Sequence, residues 1–414
     1  MSFRELMEKY KIGQATAEER RMVEEELEKF ELINEFEYEK FEETVTEETD
    51  TSIRKDNRNQ DEEFTASIRR EIRRTFVRAG IITGAAVIAI VLFILFAMPR
   101  ITDLFYYDPG QNIAVSESGK EDSNETNRMS LDMAVYTELM TPEALRDYVN
   151  VEDRGYGCYD INIIQTVTQD NEETRNVSGR IERNKLTLYD TNVINPLIGN
   201  TFGWYQRGET GKSLRQQDED EIKAGLITEN EEICHGTITP DYNREELEQL
   251  EERRGYYAYV TLNKMMNYED FINFFDKTGL GYGWCAVKTY EPANDEKYRP
   301  KNLGFVFSPT SSAPLQWDDE KYPQLRRTLS DTDEASYKRE DVATKHFISM
   351  LNYMSDNEKF CRMMKTDENG FDPQSAVKYV KDNGLTIYGF VTRADKDKLL
   401  ELLNRDEIYT VYVK

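Results

Sequence analysis

Residues 79–98 read AGIITGAAVIAIVLFILFAM, and this run decides the layout of the chain. It carries no charge. At about 1.5 Å per residue a helix of this length spans about 30 Å, the thickness of a bilayer's hydrocarbon core. A buried helix of a soluble core would keep a polar face over such a length, and this one has none. The spacing therefore predicts one transmembrane helix over 79–98.

The flanks set an orientation. Arg69, Arg70, Arg73, Arg74 and Arg78 precede the run, whereas Arg100 after it is followed by Asp103 and Asp108. An excess of basic residues marks the cytoplasmic side, so the N-terminus is expected inside and the remainder outside. The apolar run begins far from the N-terminus and lacks a short basic n-region, which argues against a cleaved signal peptide. Tyr106 and Tyr107 are expected as an aromatic anchor at the outer interface, and Pro99 as the helix end.

Composition narrows the partners. The 414 residues include 79 acidic and 53 basic side chains, a net charge of −26. Phosphate backbones demand a basic face, so direct nucleic-acid binding is not expected. The 25 tyrosines point to folded, strand-rich material after the span. Cys158, Cys234, Cys285 and Cys361 all follow the span, where disulfides are permitted and three pairings are open; we read them as small buried thiols. Cys234 beside His235 lacks the second ligand pair that zinc needs, so neither a metal site nor a cofactor is expected.

Before the span, Phe3, Leu6, Met7 and Tyr10 recur at helical spacing and Gly13 reads as a stop. Thr16-Ala17-Glu18-Glu19 is a capping box opening a second helix, with Val23, Leu27 and Phe30 on one stripe and Ile33 and Phe36 beside it. This hairpin, residues 1–45, is too small to bury its own core, so its stripe calls for a partner. Residues 1–68 carry 21 acidic and 10 basic side chains, net −11. Val23, Leu27 and Phe30, with Glu24, Glu26 and Glu28, are accordingly the candidate partner-binding residues. Residues 46–78 read as an acidic tether, polar to about Glu63, followed by a juxtamembrane helix from Ser67 to Arg78. Gly80 and Gly84 form a G-x-x-x-G pair, a candidate contact for a homodimer in the lipid bilayer.

After the span, residues 99–128 read as a linker, 129–254 as a strand-rich lobe, and 255–414 as an α+β lobe. In the first lobe the expected elements are a short helix at Pro142–Tyr148, strands at Tyr159–Thr168 and Asn176–Tyr189, and a charged helix at Asn243–Arg254. In the second, strands at Tyr256–Leu262, Tyr282–Tyr290, Leu385–Thr392 and Ile408–Val413 alternate with helices at Tyr268–Lys277, Val342–Met354, Pro373–Asp382 and Ala394–Leu403. The fold class is α+β, a mixed sheet covered by helices. Phe271, Phe274 and Phe275 are expected as core on that sheet.

Catalytic signals are weak. Gly208-Glu-Thr-Gly211-Lys212-Ser213 resembles the end of a phosphate-binding loop, but Gln206 stands where its first glycine belongs. Gly279, Gly281 and Gly283 precede a strand and read as a turn. With His235 and His346 as the only histidines, no nucleophile motif accompanies a candidate base. No enzyme activity is expected.

Two stretches carry a family resemblance. The N-terminal string uses Phe3, Met7, Lys9, Tyr10, Lys11, Gly13, Glu18, Glu19, Val23, Glu24, Glu26, Leu27, Glu28 and Lys29. Near the other end stand Tyr388-Gly389-Phe390-Val391-Thr392 and then Leu399-Leu400. Together with the single span, this is similar to the Firmicutes sigma factor regulator family, which includes membrane anti-sigma factors of extracytoplasmic-function sigma factors. The resemblance implies N-terminal helices that hold a sigma factor at the cell membrane and an outer domain acting as sensor or scaffold. Many anti-sigma factors build their hairpin on zinc; residues 1–78 contain no His and no Cys, so the chain departs from that layout. The rival reading is a membrane-anchored envelope scaffold or sensor with a different cytoplasmic partner.

Overall fold

The computed structural model describes residues 58–98, 105–113, 126–142, 144–167, 173–190, 211–225, 240–252, 255–290, 302–308, 315–327, 338–366 and 370–413. Thr16, Arg21, Val23, Ile101, Thr201, Phe202 and Ser336 are described singly. The chain divides into two compact units, Met1–Ile88 and Ala89–Lys414.

The long helix α1 runs Arg58–Leu92 and stays helical through Phe93–Ala97, where the closing turn widens and the Met98 N–H bonds to the Phe93 carbonyl. Its stretch Ile72–Ala97, 26 residues, is long and apolar enough to cross a membrane, and no part of it is buried by protein. The juxtamembrane continuation expected from Ser67 is present. The tether expected to remain irregular to Glu63 is helical already from Arg58, because Arg, Gln and Glu there favour a helix once one is nucleated beside them.

The second unit holds two antiparallel sheets. Strands β1 (Ala144–Gly155), β2 (Cys158–Val167), β3 (Glu173–Glu182) and β4 (Lys185–Leu188) form a meander in that order. Strands β5 (Tyr256–Asn267), β6 (Trp284–Val287), β7 (Leu303–Val306), β8 (Thr386–Ala394) and β9 (Ile408–Val413) form a five-stranded sheet of order β7-β6-β8-β5-β9. The helices are α2 (Arg128–Met140), α3 (Leu214–Lys223), α4 (Pro240–Gln249), α5 (Tyr268–Asp276), α6 (Glu340–Asp356), α7 (Glu358–Met363), α8 (Pro373–Asn383) and α9 (Lys396–Leu403). The α+β class holds, but the sheet expected to be mixed is antiparallel in every described pairing.

Period-two alternation divides the second sheet between two cores. Ala258, Val260 and Leu262 of β5 face the larger core with Cys285, Ile387, Phe390 and Ile408. Tyr257 and Tyr259 point to the other face, among Phe202, Leu214, Trp284, Tyr388 and Tyr409. Both faces being covered, the strands read as near-continuous apolar runs. Gly389 in the middle of β8 admits the Phe202 ring, since a Cβ there would stand 2.5 Å from its Cδ1.

The helices start where their caps dictate. Asn267 accepts the Asp270 N–H at 2.8 Å to open α5, Asp395 accepts the Lys398 N–H at 2.8 Å to open α9, and Asp372 with Pro373 opens α8. Helix α5 then lays Phe271, Phe274 and Phe275 into the core as expected. The Phe275 ring meets Phe307 edge-on at 4.7 Å and Phe390 at 5.6 Å, and Phe274 meets Phe390 at 6.3 Å. Phe274→Ala should therefore lower stability by about 3–5 kcal/mol, read as an earlier denaturant midpoint.

Several expectations give way. Pro142–Tyr148 is not a helix: Pro142 closes α2, and from Ala144 the chain is strand β1, with Arg146 donating to Gln165 of β2 at 2.9 Å. The expected strand at Asn176–Tyr189 is a hairpin, turning at Arg183 and Asn184 with φ of 49° and 70°, the conformation of a tight two-residue turn. Expected strand Tyr282–Tyr290 shortens to Trp284–Val287. The stretch after residue 128, expected to be strand-rich, opens with helix α2, buried from Met129 to Met140. Tyr107 is no interfacial anchor: it is fully buried. Cys285 is buried, Cys158 and Cys361 are half-buried, and none of the three is in a disulfide; Cys234 lies outside the described residues.

Candidate functional site

Of the candidate partner-binding residues, Val23 is helical and fully buried; Glu24, Glu26, Leu27, Glu28 and Phe30 lie outside the described residues. Gly80 and Gly84 lie in α1 with open space around both, nothing standing within 4 Å of a Cβ at either. Cys234, His235 and Gly208 also lie outside the described residues. Lys212, from the phosphate-loop-like string, reaches Asp220 at 3.2 Å, and Ser213 caps α3 by accepting the Gln216 N–H at 3.1 Å. That lysine is turned onto an acidic helix, a poor place for a phosphate.

The polar centre of the second unit lies on α2, which sequence reading missed. Asn127 caps this helix, accepting the Ser130 N–H at 2.9 Å and donating to the Val149 carbonyl at 2.8 Å. Two carboxylates then project from it in different directions. Asp132 accepts from the Tyr107 hydroxyl at 2.5 Å and from the Tyr353 hydroxyl at 2.6 Å, with Arg128 Nε at 3.7 Å. Burial raises Asp132 to about 6 against these three stabilising neighbours.

Two turns further on, Glu138 meets α6 and the 315–327 segment. Its Oε2 accepts from Arg326 Nη1 at 2.7 Å, its Oε1 lies 2.9 Å from His346 Nε2, and its backbone carbonyl accepts the Trp284 indole N–H at 2.7 Å. Burial alone would raise this carboxyl, but His346 and Arg326 outweigh it and hold it down at about 2. The Gln324 carbonyl, 2.7 Å from His346 Nδ1, can only accept, so Nδ1 carries a proton. The hydrogen bond between Nε2 and Glu138 then needs one further proton shared by ring and carboxylate. Arg327 donates to the Val306 carbonyl at 2.7 Å and lies over the Phe305 ring at 5.5 Å.

This arrangement is a lock. Both ring nitrogens of His346 are committed to oxygen partners, and burial pushes the Cys285 thiol up, so it is a poor nucleophile at neutral pH. Among the described residues no group of three His, Cys, Asp or Glu side chains could hold a metal ion. The pairs do tie distant segments together: Tyr107, only ten residues beyond the apolar helix, is fastened to α2 and through Asp132 to α6. One signal in the sequence pointed here, two acidic residues within the otherwise apolar string MSLDMAVYTELM of residues 129–140.

The chain thus joins a helix long and apolar enough to cross a membrane to an α+β domain whose polar interior is closed. The comparison with known families makes this particular. Residues 247–413 match the family described as sigma factor regulator C-terminal, which supports a sigma factor regulator family for this domain. The match covers β5 to β9 and confirms the resemblance read from Tyr388–Thr392 and Leu399-Leu400. The family is one of regulator domains, and it implies a role in sigma factor regulation with a sigma factor as partner. No curated protein and no solved structure matches the chain.

Proposed function

We propose that the protein is a membrane-anchored anti-sigma factor that sequesters an extracytoplasmic-function sigma factor through its N-terminal helices, with the domain beyond the span as sensor or scaffold. The observation that carries this reading is the sigma factor regulator domain at residues 247–413, joined through one apolar helix to an acidic N-terminal segment. Leu27 and Phe30 of the segment's stripe supply apolar contact, Val23 beside them being already buried. Glu24, Glu26 and Glu28 steer a partner whose DNA-binding surface is basic and is masked when covered. The arginines before the span support a reading with this segment in the cytoplasm and the regulator domain outside.

The test is capture of the tagged full-length protein from membranes of its native host. A sigma factor should co-purify in near-stoichiometric amount and leave at high salt. Recovery of other partners with no sigma factor would overturn the reading.

Dimerisation in the bilayer belongs to the same proposal. Small residues at 80 and 84 let two backbones approach closely, and the open space beside both leaves that face free to do so. A Gly84→Ile variant should lose most of the wild-type crosslinked dimer in membranes; an unchanged yield would remove the support for a dimer.

A further inference from the structure

Helix α1 does not stop at the membrane boundary. It is continuous from Arg58 into the apolar segment, so the arginines before that segment are displayed on one helix. Arg70, Arg74 and Arg78 stand four residues apart and form one row along the helix, with Arg73 beside it. All four are exposed. On the opposite side Ile72 and Phe76 form an apolar row, 51% and 74% exposed. In a chain of net charge −26, this is a concentrated basic surface.

Axial rise sets the depth. Arg78 adjoins Ala79, where the uncharged segment begins, and Arg74, Arg73 and Arg70 follow at about 8, 9 and 14 Å from it. The headgroup layer of one leaflet is about 5–8 Å thick, and the screening length at physiological salt is about 8 Å. Arg78 and Arg74 therefore stand at the level of the lipid phosphates, and Arg73 and Arg70 remain within one screening length of them. Guanidinium is the side chain best matched to phosphate oxygens, which it binds through paired N–H donors.

We propose that the Arg70–Arg73–Arg74–Arg78 surface of α1 is a binding site for the phosphate headgroups of anionic membrane lipids. The site gathers such lipids around the helix exactly where the N-terminal segment leaves the membrane, and it opposes withdrawal or rotation of α1.

The test uses the full-length protein. It is equilibrated in mixed micelles with equal amounts of phosphatidylglycerol and phosphatidylcholine, captured and washed, and the lipid that stays bound is quantified by mass spectrometry. The wild type should retain phosphatidylglycerol in preference. A basic residue at the surface contributes about fivefold, so the variant with Arg70, Arg73, Arg74 and Arg78 all changed to Gln should lose at least about tenfold of that preference. Glutamine is a good helix former, so α1 should persist. Raising salt from about 0.05 M to 1 M should erode the wild-type preference as screening shortens. Equal retention of the two lipids by the wild type, an unchanged preference in the Gln variant, or indifference to salt would each overturn the proposal. None of these readouts depends on a sigma factor, so failure here is distinguishable from failure of the anti-sigma reading.

Discussion

Phe30→Asp and Leu27→Asp variants, present in the membrane at wild-type amount, should release the sigma factor and raise transcription from its target promoters. On the proposed reading each side chain is buried against the partner, and burying a Leu or Phe contributes about 1.5–3 kcal/mol before the costs of association. Losing it lowers affinity by about ten- to a hundredfold, and an unpaired carboxylate in the same apolar contact adds a further penalty. Glu24→Gln or Glu26→Gln should act more gently, slowing association and weakening its salt dependence. A reporter that stays flat in both Asp variants, with the protein still in the membrane, would defeat the anti-sigma proposal. Val23 offers an internal comparison: its side chain is already buried, so Val23→Asp should damage the helices themselves.

The other large effect is expected at Glu138. Its carboxylate is paired with Arg326 at 2.7 Å, and these side chains are only 9% and 5% exposed. Glu138→Ala leaves that guanidinium buried without its counter-ion and removes the acceptor of the His346 ring, a loss of about 3–5 kcal/mol. Changing Glu138 and Arg326 together to Met should cost less than the sum of the single changes, because neither charge is then stranded. Denaturant titration of the four proteins measures the coupling; strict additivity would show that the pair does not act as a unit. The pH dependence has a definite sign. Glu138 is held at about 2 in the folded protein, below its ordinary value of 4.5. Its contribution is therefore complete above pH 4.5 and lost as pH falls toward 2. Asp132 runs the other way: raised from 3.8 to about 6, its contribution is present below pH 3.8 and lost as pH rises through 6. Glu138→Gln should flatten the acid limb of the wild-type profile and leave the limb near pH 6 in place.

These two carboxylates show where local reading ends. On α5, Phe271, Phe274 and Phe275 follow a helical period after an Asn cap, and that local pattern already placed them in the core. On α2 no such pattern exists. Every side of the helix from Met129 to Met140 is enclosed, so apolar residues occur all round it and period carries no information. Asp132 and Glu138 look like surface residues in the string. They lie inside because Tyr107, Tyr353, Arg326 and His346, up to 221 residues away in sequence, meet them there.

The sequence by itself determined the apolar helix, the class of the fold and most elements from Tyr256 to Val413, because each rests on a local property: length without charge, alternation of two or 3.6, and capping residues. The family resemblance of residues 247–413 was legible for the same reason, in strings such as Tyr388–Thr392 that lie within one strand. Tertiary structure alone decided that Tyr107 enters the core, that the residues after Pro142 form a strand, and that α2 carries a closed polar lock. Each of these depends on partners brought together by folding. A tyrosine near a span serves equally as interface anchor or core residue until a buried acceptor is known, and Pro142 opens a helix as readily as it ends one until Arg146 has found Gln165 across the sheet.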